Sequence, residues 1–321
     1  MILQLLVIVV GVALVLWGAD RLTEGAAALA RRMNVPEIVI GLTIVAAGTS
    51  APELFVSLVS ALKGTPDLAV GNVVGSNIFN SLVIVGCAAM VSPMTISRST
   101  VSKDLPFTIG ASVLLAVLVL DNVPSLSLRG SVLNRFDGLL LLAGFAAFMV
   151  YTFRVTMKNR TGQEQTEAAS AVVSPWKSAF YVVLGLGCLV LGSNLFVDAA
   201  SSVARTLQVS EGVIGLTIVA GGTSLPELAT SVVAARKGQS AIAIGNVIGS
   251  NVFNILLILG TTAAICPMQI NGITLVDLST MLMSVLLVWG FSYTKLTVAR
   301  WEGAVLTVLF LLYMGWLLYN V

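Results

Sequence analysis

The chain has 321 residues, of which 57% are hydrophobic and 10% charged, with a mean hydropathy of +0.99. Soluble domains carry about a quarter charged residues, so this composition belongs to a membrane protein. With 17 Lys+Arg, 15 Asp+Glu, a net charge of +2 and no histidine, it excludes a basic nucleic-acid binder and an acidic disordered tail, His-ligated zinc or haem, and Ser-His-Asp or Cys-His catalysis.

A bilayer core of about 30 Å takes roughly 20 apolar residues per helix, and ten stretches qualify. In chain order they are 2–19, 37–62, 67–91, 105–121 and 132–153, then 178–197, 211–235, 240–266, 275–293 and 301–319. No basic n-region precedes the first, which therefore reads as a span and not as a cleaved signal. Between the fifth and sixth lies 154–177, polar and rich in Thr, Gln, Ser and Ala, which reads as a flexible linker. Its Asn159-Arg-Thr triplet matches a glycosylation pattern by chance on a cytoplasmic loop. The chain thus divides into a first half (1–153), the linker (154–177) and a second half (178–321). Cys87, Cys188 and Cys266 stand singly in apolar stretches and read as packing residues.

Orientation follows from the positive charges. Arg21, Arg31, Arg32, Arg98, Lys103, Arg154, Lys158, Arg160, Lys177, Arg236, Lys237, Lys295 and Arg300 fall on one side, and Lys63, Arg129, Arg135 and Arg205 on the other. The split is 13 to 4, summing to the 17 in the chain. The positive-inside rule then puts both termini outside and the linker in the cytoplasm of a plasma (inner) membrane protein.

Residues 41–86 and 215–260 align without gaps at an offset of 174, with 29 of 46 positions identical. The offset extends weakly upstream, pairing Gly18 with Gly192, Asp20 with Asn194 and Glu24 with Asp198. Each half holds five spans, an odd number, so equivalent elements enter the membrane from opposite sides. That is an inverted-topology repeat, a common plan of secondary transporters. The fold class is an all-α membrane protein of ten transmembrane helices in two five-helix repeats.

Each copy carries two motifs. The first is Gly-Thr-Ser-x-Pro-Glu, at 48–53 and 222–227. Its proline removes a backbone donor opposite the carbonyl four residues earlier, so spans two and seven should break there and free carbonyls in the Ala46–Thr49 and Ala220–Thr223 turns. Glu53 and Glu227 lie beside the breaks, deep in apolar runs where a charged side chain costs about 2.5–3.5 kcal/mol and is functional by default. The second motif is Gly-Asn-Val-x-Gly-Ser-Asn-x-Phe-Asn, at 71–80 and 245–254. Asn72, Ser76 and Asn80 form one helical stripe, repeated by Asn246, Ser250 and Asn254. The Gly71–Gly75 and Gly245–Gly249 spacings allow close helix approach. If span two packs on three and seven on eight, two carboxylates, hydroxyls, amides and freed carbonyls converge at the centre.

An all-oxygen cage of this kind suits a hard cation such as calcium or sodium; soft metals would want thiolate or imidazole. Taken alone, the Asn72, Asn77, Asn246 and Asn251 amides are equally compatible with interhelical hydrogen bonding. Asp20, Glu24 and Asp198 read as solvated residues at span ends. Asp104, Asp121, Asp137 and Asp277 read as loop or helix-end residues. No histidine-based hydrolase is possible, no acid dyad stands out, and the chain reads as a transporter and not an enzyme.

The paired motifs resemble the two alpha-repeats of the calcium/cation antiporter superfamily, the sodium/calcium exchangers. The resemblance is close over 41–86 and 215–260, and span count and short linker fit compact prokaryotic members. It implies exchange of calcium for sodium by alternating access, with calcium and sodium as transported ligands and no other cofactor. It implies that Glu53 and Glu227 ligate both ions together with the carbonyls of Thr49 and Thr223. It further implies sodium sites at Ser50, Ser76 and the Ala46 carbonyl in one half, and at Ser224, Ser250 and the Ala220 carbonyl in the other. In that family spans one and six form a gating pair. Sodium-coupled members usually carry aspartate at one of the positions held here by Asn80 and Asn254, so the central charge here is −2. Two carboxylates balance one calcium, two sodium ions or two protons. A calcium (or other cation)/proton antiporter is therefore the alternative, and a cation channel, against which the inverted repeat argues, a second one.

Overall fold

The computed structural model describes residues 2–33, 35–120, 131–160, 175–207 and 220–320. Helix α1 runs Ile2–Met33. The second span, α2, is the pair Glu37–Thr49 and Ala51–Leu62, bent by 46°. Then follow α3 (Pro66–Val91), α4 (Thr100–Leu120), α5 (Arg135–Arg160) and α6 (Pro175–Thr206). The described part of α7 is again in two pieces, Ala220–Thr223 and Leu225–Arg236, while 211–219 lies outside the described residues. The chain closes with α8 (Ser240–Ile265), α9 (Leu275–Lys295) and α10 (Arg300–Asn320). Eight of these are single helices long and apolar enough to cross a bilayer, and the bent α2 makes a ninth. With the described part of α7, they are consistent with the predominantly helical, ten-span plan read from the repeat.

Several span boundaries need correction: the fifth span starts at Arg135, after a short strand, and runs to Arg160, into the stretch read as linker, and the first and sixth shift furthest into polar sequence. Apolar composition alone ends the first and sixth spans at 19 and 197, yet α1 and α6 each continue to 32 residues, about 48 Å at 1.5 Å per residue. Asp20, Arg21 and Glu24 therefore lie inside an unbroken helix. The helix tolerates them because they are paired: Arg21 bridges Asp20 at 2.6 Å and Glu24 at 2.8 Å. Lys237, just past α7, adds a 2.7 Å bridge to Asp20 and donates to the Asp20 carbonyl and the Thr23 hydroxyl.

Helices α1 and α6 lie side by side along most of their length. Glycine makes this possible. A Cβ added at Gly11, Gly18 or Gly25 would stand 2.8 Å from the carbonyl oxygen of Gly192, Gly185 or Ser178 respectively. The three rungs recur every seven residues, the period that keeps one seam of a helix facing a partner.

Four short strands join the halves. The β1 strand (Met94–Thr95) pairs antiparallel with β4 (Thr297–Val298), and β2 (Ser131–Leu133) with β3 (Met268–Ile270). Each ribbon links the turn after one span of the first half to a turn of the second. Among the acids read as helix-end residues, Asp137 and Asp277 cap α5 and α9, accepting from the backbone N–H of Asn134 and Thr274. Tyrosines from the following spans reach the buried acids, Tyr151 to Asp104 and Tyr313 to Asp277. Asp121 lies outside the described residues.

The glycine ladder predicts a measurable cost. Gly18→Val would force α1 and α6 apart and destabilise the protein by about 1–3 kcal/mol, read as a lower melting temperature in detergent. Gly110→Val, at an exposed position with open space around its Cβ, should leave the melting temperature within error.

Candidate functional site

The prolines begin helices here instead of kinking their interiors. Ser50 leaves helical geometry (φ −82°, ψ 5°), and Pro52 occupies the first turn of Ala51–Leu62. Ser224 (φ −91°, ψ 8°) and Pro226 repeat this in α7. A first-turn proline gives up an N–H that has no intrahelical acceptor anyway. The following residue in each case is the glutamate, so Glu53 and Glu227 sit in the first turn of a helix, at the positive end of its dipole.

The break also sends the two pieces of α2 to different neighbours. Ala51–Leu62 packs on α3 of its own half, as expected, but 37–49 packs on α8 of the other half. Glycine permits that second contact: a Cβ at Gly245 or Gly249 would lie 2.8 Å from the Ile38 oxygen or 2.7 Å from the Leu42 oxygen. The segment that symmetry would set against Gly71 and Gly75 falls mostly in 211–219, outside the described residues.

Every sequence-predicted site residue whose side chain is described is buried, except Thr223, which is partly so. Glu53 and Glu227 are each 1% exposed. The halves cross at the carboxylates: Ser50 of the first half donates to Glu227 Oε1 at 3.1 Å, and Ser224 of the second to Glu53 Oε1 at 3.3 Å. Ser224 also contacts Ser76 Oγ at 3.2 Å. Asn80 and Asn254 donate their amide nitrogens to Asn251 Oδ1 and Asn77 Oδ1, both at 3.1 Å. Glu53 Oε2, Glu227 Oε2, Asn80 Oδ1, Asn254 Oδ1 and the Ser250 hydroxyl are buried and make no hydrogen bond. Four of those five are pure acceptors. A buried acceptor without a donor costs free energy, so each of these atoms would gain from a donor or a cation.

The freed carbonyls follow the expectation only in part. The Ala46 carbonyl is engaged within its own turn, accepting from the Ser50 N–H at 2.9 Å and weakly from Thr49 Oγ1 at 3.4 Å. The Gly222 carbonyl, orphaned by Pro226, accepts from the Ser193 hydroxyl of α6. Ala220 and Thr223 open and close the short helix before the second break.

A protein-family model described as sodium/calcium exchanger protein matches residues 3–154 and 177–319. The chain belongs to the sodium/calcium exchanger family. It is 37% identical to the putative antiporter CaxA of Alkalimonas amylolytica and 32% identical to the sodium/calcium exchanger MaX1 of Methanosarcina acetivorans, each covering 98% of both chains. Its fold matches that of the sodium-calcium exchanger NCX_Mj soaked with Na+ and no Ca2+, with a TM-score of 0.83 and 30% identity over 98% of both chains. This exchanger is therefore a multi-pass integral membrane antiporter for cations.

Several residues of the exchanger's centre escaped functional assignment in the sequence. Asn72 Nδ2 donates to the Glu53 carbonyl at 3.3 Å and to Ser57 Oγ at 3.0 Å; Asn246 makes the same pair of bonds to Glu227 and Ser231. Thr49 donates to Asn246 Oδ1 at 3.1 Å. These amides are interhelical links, and what they link is the turn that carries each glutamate. The signal was available, since Ser57 and Ser231 are identical residues at the repeat offset. Ser193 had no such signal, because Ala19 occupies the equivalent place in the first half. Ser193→Ala should strip the Gly222 carbonyl of its donor and lower stability by about 1–3 kcal/mol, measured by thermal unfolding in detergent; an unchanged melting temperature would refute the assigned bond.

Proposed function

We propose that this protein exchanges calcium for sodium by alternating access, with the cations held between Glu53 and Glu227. The observation that carries the reading is the crossed pair of buried glutamates. Each has one oxygen fixed by a serine of the opposite half and the other oxygen buried without a partner, as are the Asn80 and Asn254 amide oxygens. Hard, oxygen-only donors at flexible angles suit calcium, and sodium accepts the same donors. Ser50, Ser76, Ser224 and Ser250, the carbonyls of Thr49 and Thr223, and those of Ala46 and Ala220 complete the proposed ligand set. The names of MaX1 and NCX_Mj as sodium/calcium exchangers support sodium as the coupling ion. The charge asymmetry supports an inner-membrane protein with both termini outside and the linker cytoplasmic.

Electrostatics provides the coupling. Two ionised glutamates with no cation are costly to enclose in a low-dielectric bundle, whereas a neutralised pair is not. Switching then favours loaded states, which is what obligatory exchange requires. A charge of −2 balances one calcium or two sodium ions, and a third sodium would leave uncompensated positive charge. Two protons neutralise the pair equally well, so proton coupling is the second reading.

Labelled calcium uptake into vesicles, with a sodium gradient and a pH gradient imposed separately, decides between them. The expected result is uptake driven by outward sodium and lost in Glu53→Gln and Glu227→Gln variants that still insert and fold. Near-normal uptake by either variant would sink the proposal; uptake driven by protons alone selects the second reading. Because two sodium ions for one calcium moves no net charge, clamping the membrane potential at different values should leave the sodium-driven rate unchanged.

A further inference from the structure

We propose that Asn77 and Asn251 are positioning residues that clamp the Asn80 and Asn254 amides so that their oxygens, and not their nitrogens, face the cation. The inference rests on the reading of this site as a cation site.

A carboxamide has one face that accepts and one that donates. Turned one way it offers a cation an oxygen; turned the other way it offers two N–H groups of positive charge. Burial does not choose between these, and the two ends are nearly the same size. A partner must choose. Asn80 Nδ2 donates to Asn251 Oδ1, and Asn254 Nδ2 donates to Asn77 Oδ1, both at 3.1 Å. With the nitrogens so occupied, Asn80 Oδ1 and Asn254 Oδ1 are left buried and unpartnered.

The clamping amides are themselves oriented. Asn251 donates through Nδ2 to Ser81 Oγ at 2.9 Å, which leaves its oxygen for Asn80. Asn77 donates through Nδ2 to the Asn251 main-chain carbonyl at 3.4 Å, with Met281 Sδ beside it at 3.9 Å, which leaves its oxygen for Asn254. All four asparagines are at most 2% exposed, so bulk water does not compete for these amides in this conformation. Each clamp crosses between α3 and α8, and so between the halves. Local backbone geometry assists: α3 widens into a π-helical stretch at Asn80–Ile84 and α8 at Phe253–Leu259. These wide turns bear the clamped asparagines.

The test is a double-mutant cycle on calcium binding to the purified full-length protein in detergent, read by titration calorimetry. Asn251→Leu keeps the volume and removes the acceptor; it should weaken calcium binding about tenfold, equivalent to about 1.4 kcal/mol. In an Asn80→Ala background, which has no amide to orient, the same change should have no further effect, the non-additivity expected of two residues acting as one unit. A purely structural role for Asn251 gives effects that add in the double variant, and that result, or unchanged binding in Asn251→Leu, overturns the proposal. The cycle of Asn77→Leu with Asn254→Ala reads the second clamp independently and serves if an Asn251 variant fails to fold. Calcium binding by the unaltered protein, abolished in Glu53→Gln, is the reference; its absence overturns the cation-site reading itself, whereas its presence with additive cycles overturns only the clamp.

Discussion

A carboxylate inside a hydrocarbon stretch must be given partners or a counter-charge, and this chain places two at the same depth of its repeat. Much of the central architecture follows from that demand. The prolines at 52 and 226 open new helices, which sets Glu53 and Glu227 in first turns where the helix dipole favours negative charge. The serine preceding each break cannot serve the glutamate of its own half; it reaches across to the other. Neither half therefore contains a finished site. Asn72 and Asn246 then hold each glutamate's carbonyl against the next span, so the turns carrying the carboxylates are fixed from behind while one oxygen of each carboxylate is left without a partner.

The centre is close to two-fold symmetric, and the periphery is not. Ser193 donates to the carbonyl released at the second break, while the first half has Ala19 in the equivalent position. Lys237 grips Asp20 and Thr23 of α1, while at the repeat offset Lys63 corresponds to Lys237 and the uncharged Asn194 to Asp20. An inverted repeat with identical halves would have no energetic preference between its two facings. Differences of this kind, away from the site, are where such a preference can reside without altering the ligands shared by both facings.

The repeat, the membrane-spanning helical plan and the buried glutamates were legible in the sequence because each leaves a local signature: length, apolarity, an offset of 174, a proline beside an acid. The crossing of the halves was not. Nothing in the order of residues says that 37–49 packs on α8 while 51–62 packs on α3, since both surfaces are apolar and glycine-lined. The polar continuation of α1 was hidden for a related reason. Composition ends the apolar span at 19, but Asp20, Arg21 and Glu24 are matched by one another and by Lys237, 217 positions away for the Asp20 contact. Amide orientation was equally invisible, because the letter Asn does not say which end points inward.

The sequence repeat divides the chain at 154–177, but the two β-ribbons divide it differently. They stitch turns of α3–α5 to turns of α8–α10 at both ends, which makes those six spans a single frame. Helices α1 and α6 carry no ribbon among the described residues and are joined to each other by the glycine ladder, which makes them one closely packed pair. Val197 and Leu186 of α6 pack where a Cβ at Gly222 or Gly48, the glycines at the two breaks, would stand. Under the proposed exchange, a packed pair that lies against both breaks would not uncover one without bearing on the other. Mutual exclusion of the two openings would then be a matter of leverage as much as of charge.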